Sequence, residues 1–145
     1  MIDFELGALV DRPQQEVFDF ISNPLNLPKW QAMVGSIEQA TPGALGVGSK
    51  YNVHAEMLGR KLDGVMEITA YEPPAKFGFT NQAGPMQVTV LMTLKPAGTG
   101  TKITLHAQGN PGGVFKLAEG PLSHQVQSQM EANLARLKAL LEAAA

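Results

Sequence analysis

Three histidines, two tyrosines and a few amide side chains are the groups here that could move a proton or orient a carbonyl. His54 and His106 fall in the outward register of alternating apolar and polar stretches, so both are expected on a solvated face. His124 lies two positions after Leu122, early in a long helical pattern, and is also read as a surface residue. A metal site needs ligands that converge, and no His-x-His, His-x-x-x-His or helically spaced Asp/Glu cluster provides them. No Gly-x-Ser-x-Gly elbow, phosphate loop or dinucleotide fingerprint is present either. Arg12, Arg60 and Arg136 fall at loop or outward positions. Tyr51, Asn133 and His124 remain, too few for an acid/base assignment, so no catalytic residue is named.

Tyr51 and Asn133 stand out because both fall within apolar surroundings, where a polar group must be satisfied. Asn133 follows Met130 by three and precedes Leu137 by four, inside an apolar helical stripe bordered by Gln125 and Gln129. It is placed to orient a ligand carbonyl or hydroxyl, to bond a side chain of a neighbouring strand, or simply at the margin of the stripe.

Composition narrows the class. A chain of 145 residues can bury roughly two-thirds of its unfolded surface in one core, and residues 1–145 are read as a single domain. It has no cysteine, which excludes disulfides, zinc-thiolate sites and thiol nucleophiles. With 11 basic and 13 acidic residues spread along the chain there is no basic stripe for nucleic acid. No segment reaches the ~20 apolar residues of a membrane span, and the residues after Met1 lack a signal-peptide pattern. The expectation is a soluble cytoplasmic protein, monomer or homodimer.

The elements that position these groups follow from periodicity. Ile2 to Val10 alternates as a half-buried strand. Pro13 is expected in the first turn of a short helix carrying Val17, Phe18, Phe20 and Ile21, stopped by Ser22-Asn23-Pro24. A second short turn follows Pro24, ending at Trp30. Strands are then predicted over Val34–Ala40, Lys50–Met57, Leu62–Tyr71, Lys76–Asn81, Met86–Lys95 and Thr101–Gln108, separated by Gly- and Pro-containing turns. In the fourth strand Leu62, Gly64, Met66, Ile68 and Ala70 are expected on the inner face. Gly109 to Gly113 is a joint, Val114 to Glu119 a helical turn, and a long amphipathic helix starts afresh or kinks at Gly120-Pro121. Its stripe of Leu122, Val126, Met130, Leu134, Leu137 and Leu141 needs an apolar partner, which the sheet must supply.

Three local sequences carry a resemblance. They are Asp11-Arg12-Pro13 leading to Val17-Phe18 and Ile21, with Trp30 beyond; Ile68-Thr69-Ala70-Tyr71-Glu72-Pro73-Pro74 followed by Phe77 and Phe79; and Gly98-Thr99-Gly100-Thr101-Lys102-Ile103-Thr104 leading to a helical Leu134 to Glu142. With this order of elements the chain resembles the START-like superfamily, also called SRPBCC, of polyketide cyclases, dehydrases and lipid-transport proteins. The resemblance implies an α+β helix-grip fold: a seven-stranded curved antiparallel sheet gripping a long C-terminal helix, with two short helices between strands 1 and 2. It also implies an apolar ligand cavity between sheet and helix.

On that reading the inner-face residues become a pocket lining: Tyr51, Val53, Met57, Met66, Phe77, Phe79, Met86, Val88, Phe115 and Met130, with Trp30 at the mouth and Asn133 on the helix wall. The 7 methionines suit irregular apolar contents. Gly59-Arg60, Gly84-Pro85, Gly120-Pro121 and the Gly109 to Gly113 joint are expected to gate it. The expected partner is a small hydrophobic molecule, lipid- or polyketide-like, with no cofactor, no metal and no nucleic acid. The alternatives are a cofactor-independent cyclase or dehydratase, and a protein-interaction module such as a toxin component or co-chaperone-like partner.

Overall fold

The computed structural model describes residues 2–31, 34–57, 60–83, 86–110 and 119–143. The first alternating stretch is strand β1 (Ile2–Val10). Helix α1 (Gln14–Ile21) begins one residue later than expected. Pro13 stays extended ahead of it, and the Pro13 carbonyl accepts the first helical bond from the Val17 N–H at 3.1 Å. A 3₁₀ turn (Pro24–Asn26) follows, its Asn23 side chain accepting from the Leu25 N–H at 3.2 Å. It runs into α2 (Leu27–Trp30), whose first turn tolerates Pro28 because the missing N–H has no intrahelical role there.

Six more strands come next: β2 (Val34–Gln39), β3 (Lys50–Met57), β4 (Arg60–Glu72), β5 (Lys76–Ala83), β6 (Met86–Ala97) and β7 (Gly100–Asn110). They form with β1 one seven-stranded sheet in the order β1-β7-β6-β5-β4-β3-β2, every neighbouring pair antiparallel. The β6–β7 ladder runs further than the pattern suggested, to Ala97↔Gly100. Gly98 permits this by adopting φ +63°, a left-handed value that glycine takes without steric cost.

One inner-face expectation fails. β4 slips register between Ile68↔Phe79 and Ala70↔Gly78, so an extra residue enters the strand and the alternation reverses beyond it. Ala70 therefore turns away from the core. Tyr71 takes the inward place, its ring edge-on to Phe18 at 5.7 Å and to Phe77 at 6.5 Å.

Helix α3 (Glu119–Ala143) includes Gly120 and Pro121, and the residues before it that would tell a fresh start from a kink lie outside the described ones. Met130, Leu134, Leu137 and Leu141 are buried, while the side chains of Leu122 and Val126 lie outside the described ones. The backbone of α3 comes closest to edge strand β1 on one side and to α2 on the other, and α2 in turn leans on β2 at the opposite sheet edge. The helix thus lies along the gap between the two edges of a curled sheet, and its apolar stripe completes the core.

Gly100 sits where β7 leaves its turn, and a Cβ there would stand 2.5 Å from the Val10 carbonyl oxygen. Gly100→Ala must push the β1 end aside, so it is expected to lower stability by roughly 1–3 kcal/mol. Urea denaturation of the purified variant checks this, and an unchanged midpoint would contradict it.

Candidate ligand-binding site

The concave face of the sheet divides into two halves of different fillings. Toward the β1–α1 junction it is packed solid. Val17, Phe18 and Ile21 of α1 and Phe77, Met92, Leu94 and Ile103 of the sheet are all buried, and Gln14 Nε2 ties α1 down by donating to the Pro74 and Leu94 carbonyls, each at 3.1 Å. Thr101 Oγ1 donates to the Arg12 carbonyl at 2.8 Å, which closes this end.

Toward the other end the same face mixes the buried Tyr51, Val53 and Met66 with small or half-buried residues. Strand register places Tyr51, Met66, Asn81, Val88 and Gly109 in one cross-strand row, and Val53 beside Gly64 in the next. Tyr51, Val53 and Met66 are buried, whereas Ala55, Gly64, Asn81, Val88 and Gly109 are only half-buried. Gly109 has no room for a side chain, since a Cβ would lie 2.7 Å from the Gln87 carbonyl oxygen.

The expected lining residues fall as follows. Trp30, Tyr51, Val53, Met66, Phe77, Phe79, Met130 and Asn133 are buried, and Val88 is half-buried. The register brings Tyr51, Met66 and Val88 together, but Phe77 belongs to the solid half, its ring 6.0 Å from that of Phe79. Met57 and Met86 lie in β3 and β6 with side chains outside the described ones, and Phe115 lies outside the described residues. Of the expected gates, Gly59, Gly84, Pro85 and residues 111–113 lie outside them too.

Polar groups in this interior are few. Asn133, 1 % exposed, is tied to other amides: its Nδ2 donates to Gln31 Oε1 at 3.3 Å, and its Oδ1 accepts from Gln129 Nε2 at 3.3 Å. Gln31, itself buried, is the partner that pattern reading missed, because a residue just past a four-residue helix has no periodicity to betray its burial. Asn81 was also missed. It continues the Phe77, Phe79 alternation, and that spacing was the available signal. Asn81 Oδ1 and Trp30 Nε1 are both buried without a partner among the described residues. Burial pushes the Tyr51 phenol above its ordinary pKa of 10.0, so it is neutral at physiological pH.

The histidines stand outside, as expected. His54 Nδ1 pairs with Asp63 Oδ1 at 2.9 Å and Nε2 with Glu38 Oε1 at 3.4 Å, bridging β2, β3 and β4 on the outer face. His106 Nε2 pairs with Asp3 Oδ1 at 2.9 Å, and His124 is exposed. Among the described residues no cluster of three His, Cys, Asp or Glu could hold a metal ion. None of the helices, over the described residues, is long and apolar enough to cross a membrane.

A separate groove of about 690 Å³ follows the β1–α3 seam, walled by Leu6, Ala8, Leu134 and Ala135 and rimmed by Lys102, Glu131 and Lys138. Leu6 and Ala8 point inward yet stay half-buried, so the seam exposes the margin of the core.

A family model described as polyketide cyclase / dehydrase and lipid transport matches residues 1–142. No curated protein matches the chain. Among solved structures, TTHA0849 from Thermus thermophilus superposes with a TM-score of 0.83 at 17% identity over 99% of each chain. Ara h 8.0201 gives 0.74 at 19% identity over 96% of each chain. The di-domain ARO/CYC BexL from the BE-7585A biosynthetic pathway gives 0.74 at 18% identity, covering 96% of this chain and 46% of that one. At these identities the likeness shows a shared helix-grip fold.

Two outcomes are expected. Asn133→Ala leaves the buried Gln31 amide short of a partner and should cost roughly 1–3 kcal/mol, read from urea unfolding; full retention of stability would refute the link. The two carboxylates raise the His54 pKa above 6.5, first through the Asp63 hydrogen bond and then through Glu38. Its stabilisation is therefore complete below pH ~6.5 and is lost as pH rises through the folded value. The melting-temperature gap between the native protein and His54→Gln should narrow from pH 6 to pH 8, and a gap that stays constant would contradict the assignment.

Proposed function

The chain belongs to the polyketide cyclase / dehydrase and lipid transport family, and on that premise we propose that it binds, and so carries or sequesters, a small hydrophobic lipid- or polyketide-like molecule between the sheet and α3. The observation that carries this is the split of the concave face. Aromatic and large aliphatic side chains fill one half, while Ala55, Gly64, Val88 and Gly109 leave the other shallowly lined beneath a helix whose inward stripe is apolar. Small residues on a floor under a fixed roof enclose volume rather than fill it, and apolar walls reward an apolar occupant at about 25 cal/mol per Å² removed from water. The ligand set supported here is Trp30, Tyr51, Val53, Met66, Val88 and Met130.

Binding is favoured over turnover by the titratable inventory. Among the described residues the concave face carries two titratable side chains: Tyr71, wedged between Phe18 and Phe77 at the solid end, and Tyr51, a phenol whose raised pKa makes it a poor base at neutral pH.

Native mass spectrometry of freshly purified protein should reveal a co-purifying small molecule, and a lipid and polyketide-like panel should contain compounds that raise the melting temperature. Tyr51→Phe should retain binding of those compounds. A bare protein mass together with a panel that shifts nothing would sink the reading.

A further inference from the structure

The groove along the β1–α3 seam is open to solvent and apolar at its centre, where Leu6, Ala8, Leu134 and Ala135 form the walls. A smaller groove of about 210 Å³ continues it toward the β6–β7 turn, and the two share Leu9 and Lys138. Leu9 is 60 % exposed, so a large apolar side chain stands in water beside the trough. A small-molecule site surrounds its ligand on most sides. An open apolar trough running from Leu6 to the turn at Ala97 and Gly100 fits another protein surface instead.

Charge decides which surface. α3 and β1 run the same way along the seam, because Lys138 Nζ donates to the Leu9 carbonyl and Glu142 Oε2 accepts from the Asp11 N–H beyond it. Lys102 sits opposite Leu9 in the β1–β7 ladder and so stands at the Lys138 end of the groove. Glu131 marks the other end, two helical turns back along α3 and therefore ~10 Å from Lys138. Both Lys102 and Glu131 are exposed. Among the described residues Lys102 meets no carboxylate, and Glu131 meets no cation, only the Gln127 amide at 3.5 Å. The groove is positive at one end and negative at the other, with an apolar stretch between.

Such a pattern is complementary to its own inverse. A two-fold axis crossing the seam between Leu134 and Ala135 exchanges the ends, setting each Glu131 against the lysine end of the other copy. It also lays the apolar walls on one another around the axis, an isologous contact with an apolar centre and a charged rim. Copies aligned in the same direction would oppose like charges, which disfavours that register.

We propose that the β1–α3 seam is a homodimer interface, in which two copies of this chain pack antiparallel along α3 through Leu6, Leu9, Leu134 and Ala135 and two reciprocal Glu131–Lys102 pairs. Exposed ion pairs add little affinity by themselves, so the apolar centre supplies the attraction and the charges select the antiparallel register. The interface covers the margin of the core that the seam leaves open. It is independent of what the interior binds.

Sedimentation velocity of the full chain, from micromolar to submillimolar concentration, tests this. The native protein should show a concentration-dependent dimer. Glu131→Lys and Lys102→Glu should each weaken it roughly tenfold or more, because either reversal creates two like-charge contacts across the axis. Both substitutions are at exposed positions, and an unchanged circular dichroism spectrum checks that the variants fold. An equal mixture of the two variants should recover the dimer, since every reversed charge then meets its complement. Ala135→Glu, beside the axis, should abolish it. A monomer at every concentration, a dimer indifferent to both reversals, or two monomeric variants that fail to pair when mixed overturns the proposal. A small molecule occupying the groove of a monomeric protein overturns it equally.

Discussion

An open antiparallel sheet has two edges whose backbone groups must be satisfied or shielded, and here one helix meets that requirement. Lys138 Nζ takes the Leu9 carbonyl at 2.6 Å and Glu142 Oε2 takes the Asp11 N–H at 2.9 Å, so the C-terminal turns of α3 cap the free side of β1. Nearer the start of the helix, Arg136 and Asn133 engage Lys29 and Gln31 around α2, which leans on β2. Once α3 is pinned between both edges, the sheet must stay curled and its concave face must look at the helix. The interior of the protein depends on that closure.

The closure also explains why the concave face is not uniform. α1 is short and sits at one end only, held by Gln14, so just that end receives a plug of Val17, Phe18 and Ile21 against Tyr71 and Phe77. Among the described residues, a short plug at one end and a helix along the seam cover the sheet, and the remaining half of the face is lined by the strands' own side chains. With glycine or alanine at positions 55, 64 and 109, that half is lined thinly. The outer face, by contrast, is a solvated lattice of exposed pairs such as His54 with Asp63 and Thr80 with Thr89, worth little individually to stability.

Much of this was legible in the residues alone. The 3.6 period of Met130, Leu134, Leu137 and Leu141 and the alternation of β1, β3, β6 and β7 place the elements and their buried faces, and the outward histidines follow from the same rule. The resemblance carried by Asp11 to Ile21, Ile68 to Phe79 and Gly98 to Thr104 extends that to the helix-grip order, which the sheet and the superposed structures bear out. Where alternation breaks, pattern reading breaks with it: the bulge after Ile68 exchanges Ala70 for Tyr71, a shift that no single-strand pattern contains.

The sequence by itself therefore determined which faces are apolar, because side-chain direction along a strand or helix is a local property of the backbone. Only the tertiary structure decided which polar atoms meet. Asn133 finds Gln31 across 102 positions of chain, while Trp30 Nε1 and Asn81 Oδ1 find no partner among the described residues. Whether a polar atom is satisfied depends on the element packed against it, and that is fixed by strand register and by where α3 lands, not by spacing along the chain.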